Sequence, residues 1–125
     1  MDLGRCELRL TRRYDATPAE VWAALTDEDS IGRWLAGVVD VELVPGGAFL
    51  LANGVDARVV EVEPERVLEL DWRVGGEEPS VVRFELEADE RGGTVLALGH
   101  ARIEAPLGMT YISRWSRAID RIAVA

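Results

Sequence analysis

Apolar and polar residues alternate with a period of two along most of the chain, which is typical of strands with one buried face. The first such segment covers residues 6–14. From residue 38 onward the alternation returns in six successive segments, at residues 38–44, 48–52, 55–63, 67–74, 81–87 and 94–101. The turns between them contain Pro45-Gly46-Gly47, Asn53-Gly54, Pro64-Glu65, Gly75-Gly76 and Gly92-Gly93. Because connections this short suit hairpins, the pattern predicts an antiparallel meander.

Two short helices are predicted between the first strand and the second. Thr17 and Glu20 form a capping box, in which each side chain accepts a hydrogen bond from the backbone of the other, and Pro18 suits the first helical position. This predicts a helix over residues 18–25. Residues 27–35 begin with an acidic start signal, carry apolar side chains at helical spacing and end before a glycine, so they predict a second helix.

A longer amphipathic helix is predicted after Pro106. Its apolar side chains recur at helical spacing and comprise Tyr111, Trp115, Ala118, Ile119 and Ile122. A curved sheet must cover its apolar face, and this helix is the only element long enough to lie across it. The chain is therefore predicted to adopt an α+β helix-grip fold, a curved antiparallel sheet of about seven strands wrapped on the long C-terminal helix, with two short helices after the first strand. We expect a cavity at the seam between the sheet and that helix.

Composition indicates one folded domain over residues 1–125. The hydrophobic fraction of 48% supplies a core and the charged fraction of 30% supplies solubility, which argues against a disordered chain and against a membrane protein. The 23 acidic residues outnumber the 14 basic ones, all arginine, and the net charge is −9. Nucleic acid is not expected as a partner, because phosphate binding needs a basic surface.

The sequence indicates no metal, cofactor or membrane span. One cysteine, Cys6, and one histidine, His100, cannot supply a zinc or iron–sulfur site or an internal disulfide. There is no phosphate-binding loop, dinucleotide fingerprint or Gly-x-Ser-x-Gly motif, so no cofactor is expected. The charged N-terminus does not resemble a secretion signal, and the longest uncharged run, residues 43–55, is too short to cross a bilayer. We expect a cytoplasmic protein.

Strand alternation predicts which side chains face the cavity. If Leu68, Leu70 and Trp72 point inward, the next two strands direct inward Val82, Phe84, Leu86, Leu96, Leu98 and His100. His100 would then lie at the cavity rim, where an imidazole can transfer protons near neutral pH or bind a ligand oxygen. The alternative is a half-buried histidine bonded to a neighbouring backbone group.

Large aromatic side chains combine a wide apolar surface with one polar atom, which suits them to line a cavity for an aromatic or acyl ligand. The candidates are Trp34, Trp72, Tyr111 and Trp115. Each is equally compatible with a place in the hydrophobic core, which is the expectation for Trp22 on the first helix. A buried hydroxyl of Tyr111 needs a partner and could hold a ligand oxygen.

The orientation of Arg58 depends on the strand register. Arg58 shares strand parity with Val60 and Val62, and if these point inward the guanidinium enters the cavity. There it would need an acidic partner such as Asp56 or an anionic ligand. In the opposite register Val59 is buried and Arg58 is a solvated charge at the sheet surface. The sequence leaves both registers open.

Three arginines recur at helical spacing on one side of the last helix, at Arg114, Arg117 and Arg121. In an acidic chain they suit binding to an acidic protein partner, or they form a solvated face that pairs with acids at the sheet edge. The acidic pairs Glu77-Glu78 and Asp89-Glu90 are expected to be solvated loop charges.

These residues together resemble the SRPBCC or START-like superfamily, and within it the group named after the activator of Hsp90 ATPase homologue. Residues 13–26 are similar to the opening strand and capped helix of that group. Trp34 and the Pro-Gly-Gly-x-Phe hairpin at residues 45–49 are also similar, as are residues 60–67 followed by Trp72. The Gly-Thr-x-Leu-x-Leu-x-His strand of the group matches residues 93–100, so the resemblance covers essentially the whole chain.

The resemblance implies a START or Bet v 1-like fold and several functions. The superfamily includes lipid and hormone carriers, aromatic polyketide cyclases and co-chaperone-like domains, and the group name implies a stress-response role. The last helix ends in residues 119–125, shorter than the family tail usually runs, which predicts a smaller cavity roof.

The preferred interpretation is binding of a small hydrophobic or aromatic molecule in the cavity. One alternative is a cyclase- or dehydratase-like enzyme that acts on such a ligand, with His100, Tyr111 or Arg58 polarising a carbonyl or moving protons. Another is a protein-interaction domain of the Hsp90 ATPase activator type. The chain could act as a monomer or a homodimer.

Overall fold

The computed structural model describes residues 4–122, so expectations about the three residues at each end lie outside the described part. Within it the chain forms seven strands: β1 (Arg5–Tyr14), β2 (Val38–Val41), β3 (Ala48–Leu51), β4 (Asp56–Glu63), β5 (Val67–Trp72), β6 (Ser80–Ala88) and β7 (Thr94–Glu104). The helices of this part are α1 (Pro18–Thr26), α2 (Glu28–Trp34) and α3 (Gly108–Asp120). A short 3-10 turn, Ala105–Leu107, leads into α3.

All seven strands belong to one antiparallel sheet with the order β1-β7-β6-β5-β4-β3-β2. Strands β2 to β7 pair in sequence, as the hairpin turns predicted, and β1 closes the far side by pairing with β7. Leu68 faces Phe84, and Phe84 faces Leu98. These inward side chains therefore form a row across the sheet, and the α+β helix-grip fold predicted from the sequence is confirmed.

Helices α1 and α2 meet at a shared residue. The predicted capping box is present, since Thr17 accepts from the backbone of Glu20 and the Glu20 carboxylate accepts from the backbone of Thr17. At the other end, the backbone N–H of Asp27 donates to the carbonyl of Ala23 and closes α1. The side chain of the same Asp27 accepts from the Ser30 backbone N–H at 3.2 Å and starts α2. No residue separates the end of one helix from the cap of the next.

Helix α3 covers the apolar face of the sheet. The ring of Trp115 lies 5.3 Å from that of Trp72 on β5 and 5.9 Å from that of Phe84 on β6, between ring centroids. The C-terminal part of α3 is bound to β1, where the Tyr14 hydroxyl donates to the carbonyl of Ile119. Arg12 on β1 also pairs with Asp120 at 2.7 Å. The helix is thus fixed over both the middle and one edge of the sheet.

Strands β2 and β7 differ most in length from the sequence expectation. Strand β2 ends at Val41 rather than at residue 44, because the chain turns back so tightly that a Cβ on Gly47 would lie 2.1 Å from the Glu42 carbonyl. Strand β7 continues past residue 101 to Glu104 through a bulge against β1, at which Arg102 has a φ of +62°. After the bulge the alternation of inward and outward side chains resumes, with Ile103 buried.

None of the helices within residues 4–122 is long and apolar enough to cross a membrane.

Candidate functional site: a cavity between the sheet and the terminal helix

A cavity of about 110 Å³ lies between helix α3 and one end of the sheet. Its wall comprises Leu35 after α2, Asn53 and Val55 at the β3–β4 turn, Trp72 and Val74 at the end of β5, and Tyr111, Arg114, Trp115 and Ala118 on α3. Arg114 and Asn53 are exposed, so they mark its mouth. An engineered apolar cavity of about 150 Å³ holds benzene, so a space of this order suits one ring rather than a large lipid.

Three of the predicted cavity residues meet at this wall. Trp72, Tyr111 and Trp115 all line it, and each is buried. The ring planes of Trp72 and Trp115 are inclined to each other by 55° rather than stacked. The arrangement leaves flat apolar surfaces around the cavity, which is the lining that aromatic and acyl groups bind.

The other buried candidates lie behind this wall and do not line the cavity. They are Trp34, Phe84, Leu98 and His100. Phe84 packs edge-on to Trp115, and the nearest ring to His100 is that of Tyr111, at 4.5 Å between centroids, so both residues contact the side chains that form the wall. Trp34 packs edge-on to Phe84, with ring centroids 6.1 Å apart. Trp34 therefore takes the core position that was its alternative, whereas His100 is fully buried and bonded to two side chains rather than half-buried and bonded to the backbone.

The cavity position considered for Arg58 is wrong. Arg58 is exposed, whereas Ala57 and Val59 are fully buried on the inner face. A bulge between Val59 and Glu61 changes the alternation of β4, so that Val62 points inward although Arg58 does not. Extrapolation of strand parity from Val62 back to Arg58 fails for this reason.

His100 is held as a neutral imidazole with both ring nitrogens bonded. The indole Nε1 of Trp115 donates to Nδ1 across 3.0 Å, and Nε2 lies 2.7 Å from the Ser80 hydroxyl oxygen. Because an indole N–H only donates, Nδ1 must be unprotonated, which places the proton on Nε2, directed at Ser80. Burial lowers the pKa of His100 to about 4. This ring is a structural element of the core and not a group at the cavity rim.

Tyr111 is bonded to a residue that sequence reasoning assigned to solvent. Its hydroxyl donates to the carboxylate of Glu77, which is half-buried in the β5–β6 loop. Burial raises the pKa of Tyr111 to about 12, and the bond to Glu77 adds to the rise. The expectation that Glu77 is a solvated loop charge is therefore wrong. The signal in the sequence was weak, since an acidic residue after Gly75-Gly76 is common in turns.

The prediction that Asp89 is a solvated loop charge is also wrong. Its carboxylate bonds the Arg13 guanidinium and accepts from the backbone N–H groups of Arg91 and Gly93 at 2.8 and 2.9 Å. These contacts lower the pKa of Asp89 to about 2. Asp89 thus organises the β6–β7 turn, far from the cavity.

Trp72 has an indole N–H with no acceptor on the described part of the protein. Trp72 is 4% exposed, and its Nε1 makes no hydrogen bond. The Trp72 indole N–H also opposes part of the rise in the pKa of Tyr111. The indole N–H of Trp34 is unpaired as well, but Trp34 does not line the cavity. An unpaired buried donor of this kind costs about 1–3 kcal/mol.

A larger groove of about 820 Å³ lies at the surface beside the Pro64-Glu65 turn. Four charged residues, Glu65, Arg66, Glu85 and Glu87, line it together with proline and aliphatic side chains, and no aromatic side chain does. Volume alone does not make a small-molecule site, because such sites are mostly apolar and enclosed. The smaller aromatic cavity is therefore the better candidate. Within residues 4–122 no group of three or more His, Cys, Asp or Glu side chains is placed to hold a metal ion.

The described residues thus define a helix-grip domain with an aromatic cavity between its sheet and its last helix. The family model for Activator of Hsp90 ATPase homolog 1-like protein matches residues 15–125. The chain belongs to this family, as its motifs predicted.

Solved structures share the fold. CalU16 of Micromonospora echinospora is 32% identical, and its crystal structure superimposes with a TM-score of 0.83 over 93% of this chain and 73% of CalU16. In the solution structure of CalU16 the matched share of that chain is 63%. CV1439 of Chromobacterium violaceum is 18% identical with a TM-score of 0.79, over 94% of each chain.

PFC0360w, an Hsp90 activator from Plasmodium falciparum, is 24% identical to this chain. It superimposes with a TM-score of 0.69 over 78% of this chain and 73% of its own. At this identity, as for CV1439, the likeness shows the fold alone. No curated protein sequence matches the chain.

Proposed function

We propose that this protein binds a small hydrophobic or aromatic molecule in the cavity between the sheet and α3. One observation carries the proposal, the meeting of Trp72, Tyr111 and Trp115 around a cavity of about 110 Å³. Apolar walls with one or two directed polar groups are the usual composition of small-molecule sites. The size of the cavity favours a compact ligand over a lipid.

The geometry favours binding over proton transfer. His100, which sequence reasoning considered as an acid or base, is fully buried, has both nitrogens bonded and has a pKa of about 4. The pKa of Tyr111 is about 12, so its hydroxyl stays protonated near neutral pH. Neither group has the pKa near the working pH that general acid–base catalysis favours. A cyclase- or dehydratase-like activity is therefore the weaker alternative.

Filling the cavity is the direct test. Ala118 is buried in the cavity wall, so an Ala118→Leu variant places extra methyl groups in the space. Ser113→Leu, at an exposed position of the same helix, is the matched control. The protein purified gently from cell extract is examined by native mass spectrometry, and small aromatic compounds are titrated while the indole N–H resonances are recorded.

We expect an added small-molecule mass on the parent and on Ser113→Leu, and its loss from Ala118→Leu. In the titration, the Trp72 and Trp115 resonances should move in the first two proteins, whereas that of Trp22 on α1 should not. A parent protein that carries no added mass and shows no shift with any aromatic compound would overturn the proposal. The same spectra report whether the protein is a monomer or a homodimer.

Protein binding is a second candidate, supported by a surface of α3. Arg114, Arg117 and Arg121 are exposed and, within the described residues, form no ion pair, although the chain carries a net charge of −9. Exposed charges of this kind steer an acidic partner more than they stabilise a fold. PFC0360w, described as an Hsp90 activator, shares the fold and makes Hsp90 the partner to test.

The test measures the ATPase rate of an Hsp90 with increasing amounts of this protein. A parent that stimulates the rate, with Arg117→Glu/Arg121→Glu losing the effect, would support this candidate. An unchanged rate would remove it. Arg114 is left intact in this experiment because it also lines the cavity.

A further inference from the structure

One charged residue lies in the face of α3 that lines the cavity. Tyr111, Trp115 and Ala118 line it and are buried, at the spacing of one helix face. Arg114 lies three residues after Tyr111 and four before Ala118, so it shares that face and lines the cavity too. It is exposed, which places it at the mouth. A position that helical periodicity assigns to an apolar side chain thus carries a cation.

The Arg114 guanidinium has no partner on the described part of the protein. Between residues 4 and 122 it forms neither an ion pair nor a side-chain hydrogen bond. By contrast, Arg12, Arg13 and Arg83 each pair with a carboxylate. A guanidinium carries five N–H donors in a planar fork that matches a carboxylate. Arg114 is therefore available to a carboxylate from outside the protein.

Asn53 supplies a second donor on the sheet side of the mouth. Its side-chain oxygen accepts from the Val55 backbone N–H at 3.3 Å, and its NH₂ group forms no hydrogen bond to residues 4–122. Asn53 is exposed, as Arg114 is. Because an amide NH₂ only donates, both polar residues of the mouth present donors.

The cavity wall carries one charge, and it is positive. Among the nine described residues that line it, Arg114 is charged and none is acidic, although the chain has 23 acidic residues. Asp56 follows Val55 directly in the chain, so its side chain points to the opposite face of the sheet. Glu77 does not line the cavity, and its carboxylate already accepts the Tyr111 hydroxyl. The site thus combines a buried aromatic wall with a cationic mouth.

From these observations we propose that the ligand is a single-ring aromatic carboxylate, such as a benzoate or a phenylacetate. The ring lies among Trp72, Tyr111 and Trp115, and the carboxylate accepts from Arg114 and from the NH₂ group of Asn53. The exposure of these groups sets the orientation, because a charged group is costly to bury and the two donors lie at the solvent-exposed mouth. This inference rests on the proposed binding function and specifies the class of compound that the same cavity takes.

The test compares three probes that share one ring. Benzoate is negative, benzamide is neutral with nearly the same shape, and benzylammonium is positive. Affinities are measured by titration calorimetry or by resonance shifts at low salt. We expect benzoate to bind about two- to fivefold more tightly than benzamide, the range that an exposed ion pair supplies, and benzylammonium to bind most weakly.

Ionic strength separates a contact with Arg114 from the general field of the protein. At a net charge of −9 the general field repels an anion, so added salt would screen the repulsion and tighten benzoate binding. A contact with Arg114 is instead weakened by salt. The preference for benzoate over benzamide should therefore fall between about 0.05 M and about 0.5 M salt. A preference that rises with salt would overturn the inference.

A pair of variants assigns the preference to one side chain. Arg114→Gln removes the charge at the mouth, whereas Arg117→Gln removes an exposed charge on the same helix outside the wall. Both changes alter the net charge equally, so they affect the general field alike. The preference for benzoate should disappear in Arg114→Gln and persist in Arg117→Gln, and its persistence in both would overturn the role of Arg114. If Arg114→Gln fails to fold, the salt series in the parent protein decides.

The position of the carboxylate has its own signal. The chain contains one asparagine and no glutamine, so the side-chain NH₂ resonances of the parent belong to Asn53 alone. They should move with benzoate more than with benzamide, whereas the indole resonances of Trp72 and Trp115 should move with both. Unmoved Asn53 resonances in the benzoate complex would overturn the proposed position of the carboxylate.

The outcomes distinguish the two proposals. Equal binding of benzoate and benzamide, with the indole resonances moved by both, overturns the carboxylate inference and leaves the cavity function standing. Failure of all three probes to move the Trp72 and Trp115 resonances overturns both this inference and the proposed binding of compact aromatic molecules.

Discussion

Trp115 donates a hydrogen bond to Nδ1 of His100 across 3.0 Å and thereby joins helix α3 to strand β7 through the one histidine of the chain. The bond requires the neutral ring, because a protonated Nδ1 cannot accept. On its other side the ring meets Ser80 at the start of β6. Protonation of His100 would therefore break a contact between helix and sheet and charge a fully buried group.

Stability should fall in mild acid because of this histidine. The pKa of His100 is about 4 in the folded protein and about 6.5 in an unfolded chain. The unfolded chain therefore binds the proton at a higher pH than the folded protein does. The stability that neutral His100 contributes is complete above about pH 6.5 and declines as the pH falls towards 4. Urea unfolding should show a loss of about 2 kcal/mol between about pH 7 and about pH 5.

The control for this prediction is His100→Gln, which is less stable at every pH but lacks a group that titrates in this window. Its unfolding free energy should change much less between the same two pH values. An equal slope in parent and variant would show that other groups cause the acid sensitivity.

Both tyrosines should resist ionisation in the folded protein. Burial raises the pKa of Tyr14 to about 12, and burial followed by the bond to Glu77 raises the pKa of Tyr111 to about 12. Tyrosines in the unfolded chain ionise near pH 10. The stability that the two protonated tyrosines contribute is therefore complete below that pH and is lost as the pH rises towards 12. The chain has two tyrosines, so phenolate absorbance reports on these sites alone.

At about pH 10.5 the folded protein should show little phenolate absorbance, whereas the protein in urea should show more than half of the full signal. Tyr111→Phe and Tyr14→Phe should each remove about half of the signal in urea. A folded Tyr14→Phe protein that ionises near pH 10 would contradict the buried, Glu77-bonded environment of Tyr111.

Replacing Arg102 with glycine should make the folded protein more stable. Its φ of +62° at the β7 bulge lies in the left-handed region, which costs a residue with a Cβ about 1 kcal/mol and costs glycine little. Arg102 is exposed, so the substitution removes no buried contact. We expect Arg102→Gly to raise the unfolding free energy by up to about 1 kcal/mol in urea titrations.

The matched change is Arg58→Gly, at an exposed position of β4 outside the left-handed region. There glycine should lower stability by about 0.5–1 kcal/mol, because it adds only flexibility to the unfolded chain. If both substitutions lower stability equally, the bulge is not strained at Arg102.

Gly108 should tolerate alanine only when Cys6 is made smaller. A Cβ at Gly108 would lie 2.8 Å from the Cys6 sulfur, closer than van der Waals contact allows. Gly108→Ala should therefore lower stability by about 1–3 kcal/mol despite the better helix propensity of alanine. Cys6→Ala in the same chain should recover most of the loss, which a double-mutant cycle of urea unfolding measures. Additive effects of the two changes would exclude the clash.

Alternation and turn chemistry were enough to predict the order of the elements. The capping box at Thr17 and Glu20 and the inward row through Phe84 and Leu98 are local or periodic features, and the structure contains both. Period two predicts Leu68 and His100 on the same face without any knowledge of their distance in space. Features that depend only on neighbours in sequence are the ones that a sequence can specify.

The candidate site was harder to predict because its details depend on irregular backbone and long-range contacts. A single bulge after Val59 decides that Arg58 faces solvent. The bond between Glu77 and Tyr111 joins residues 34 positions apart, and nothing local in the loop indicates it. The sequence likewise predicted His100 to point inward, but not that Trp115 would cover it.

Asp27 ends α1 and begins α2, so the two short helices form one continuous bent unit. The C-terminal end of α2 leads directly to Leu35 in the cavity wall. The N-terminal end of α1 is fixed by the capping box at Thr17. A change in the length of α2 would move Leu35 and also Trp34, which packs against Phe84 on the sheet. The end of α2 therefore sets one side of the cavity and part of the aromatic core at the same time.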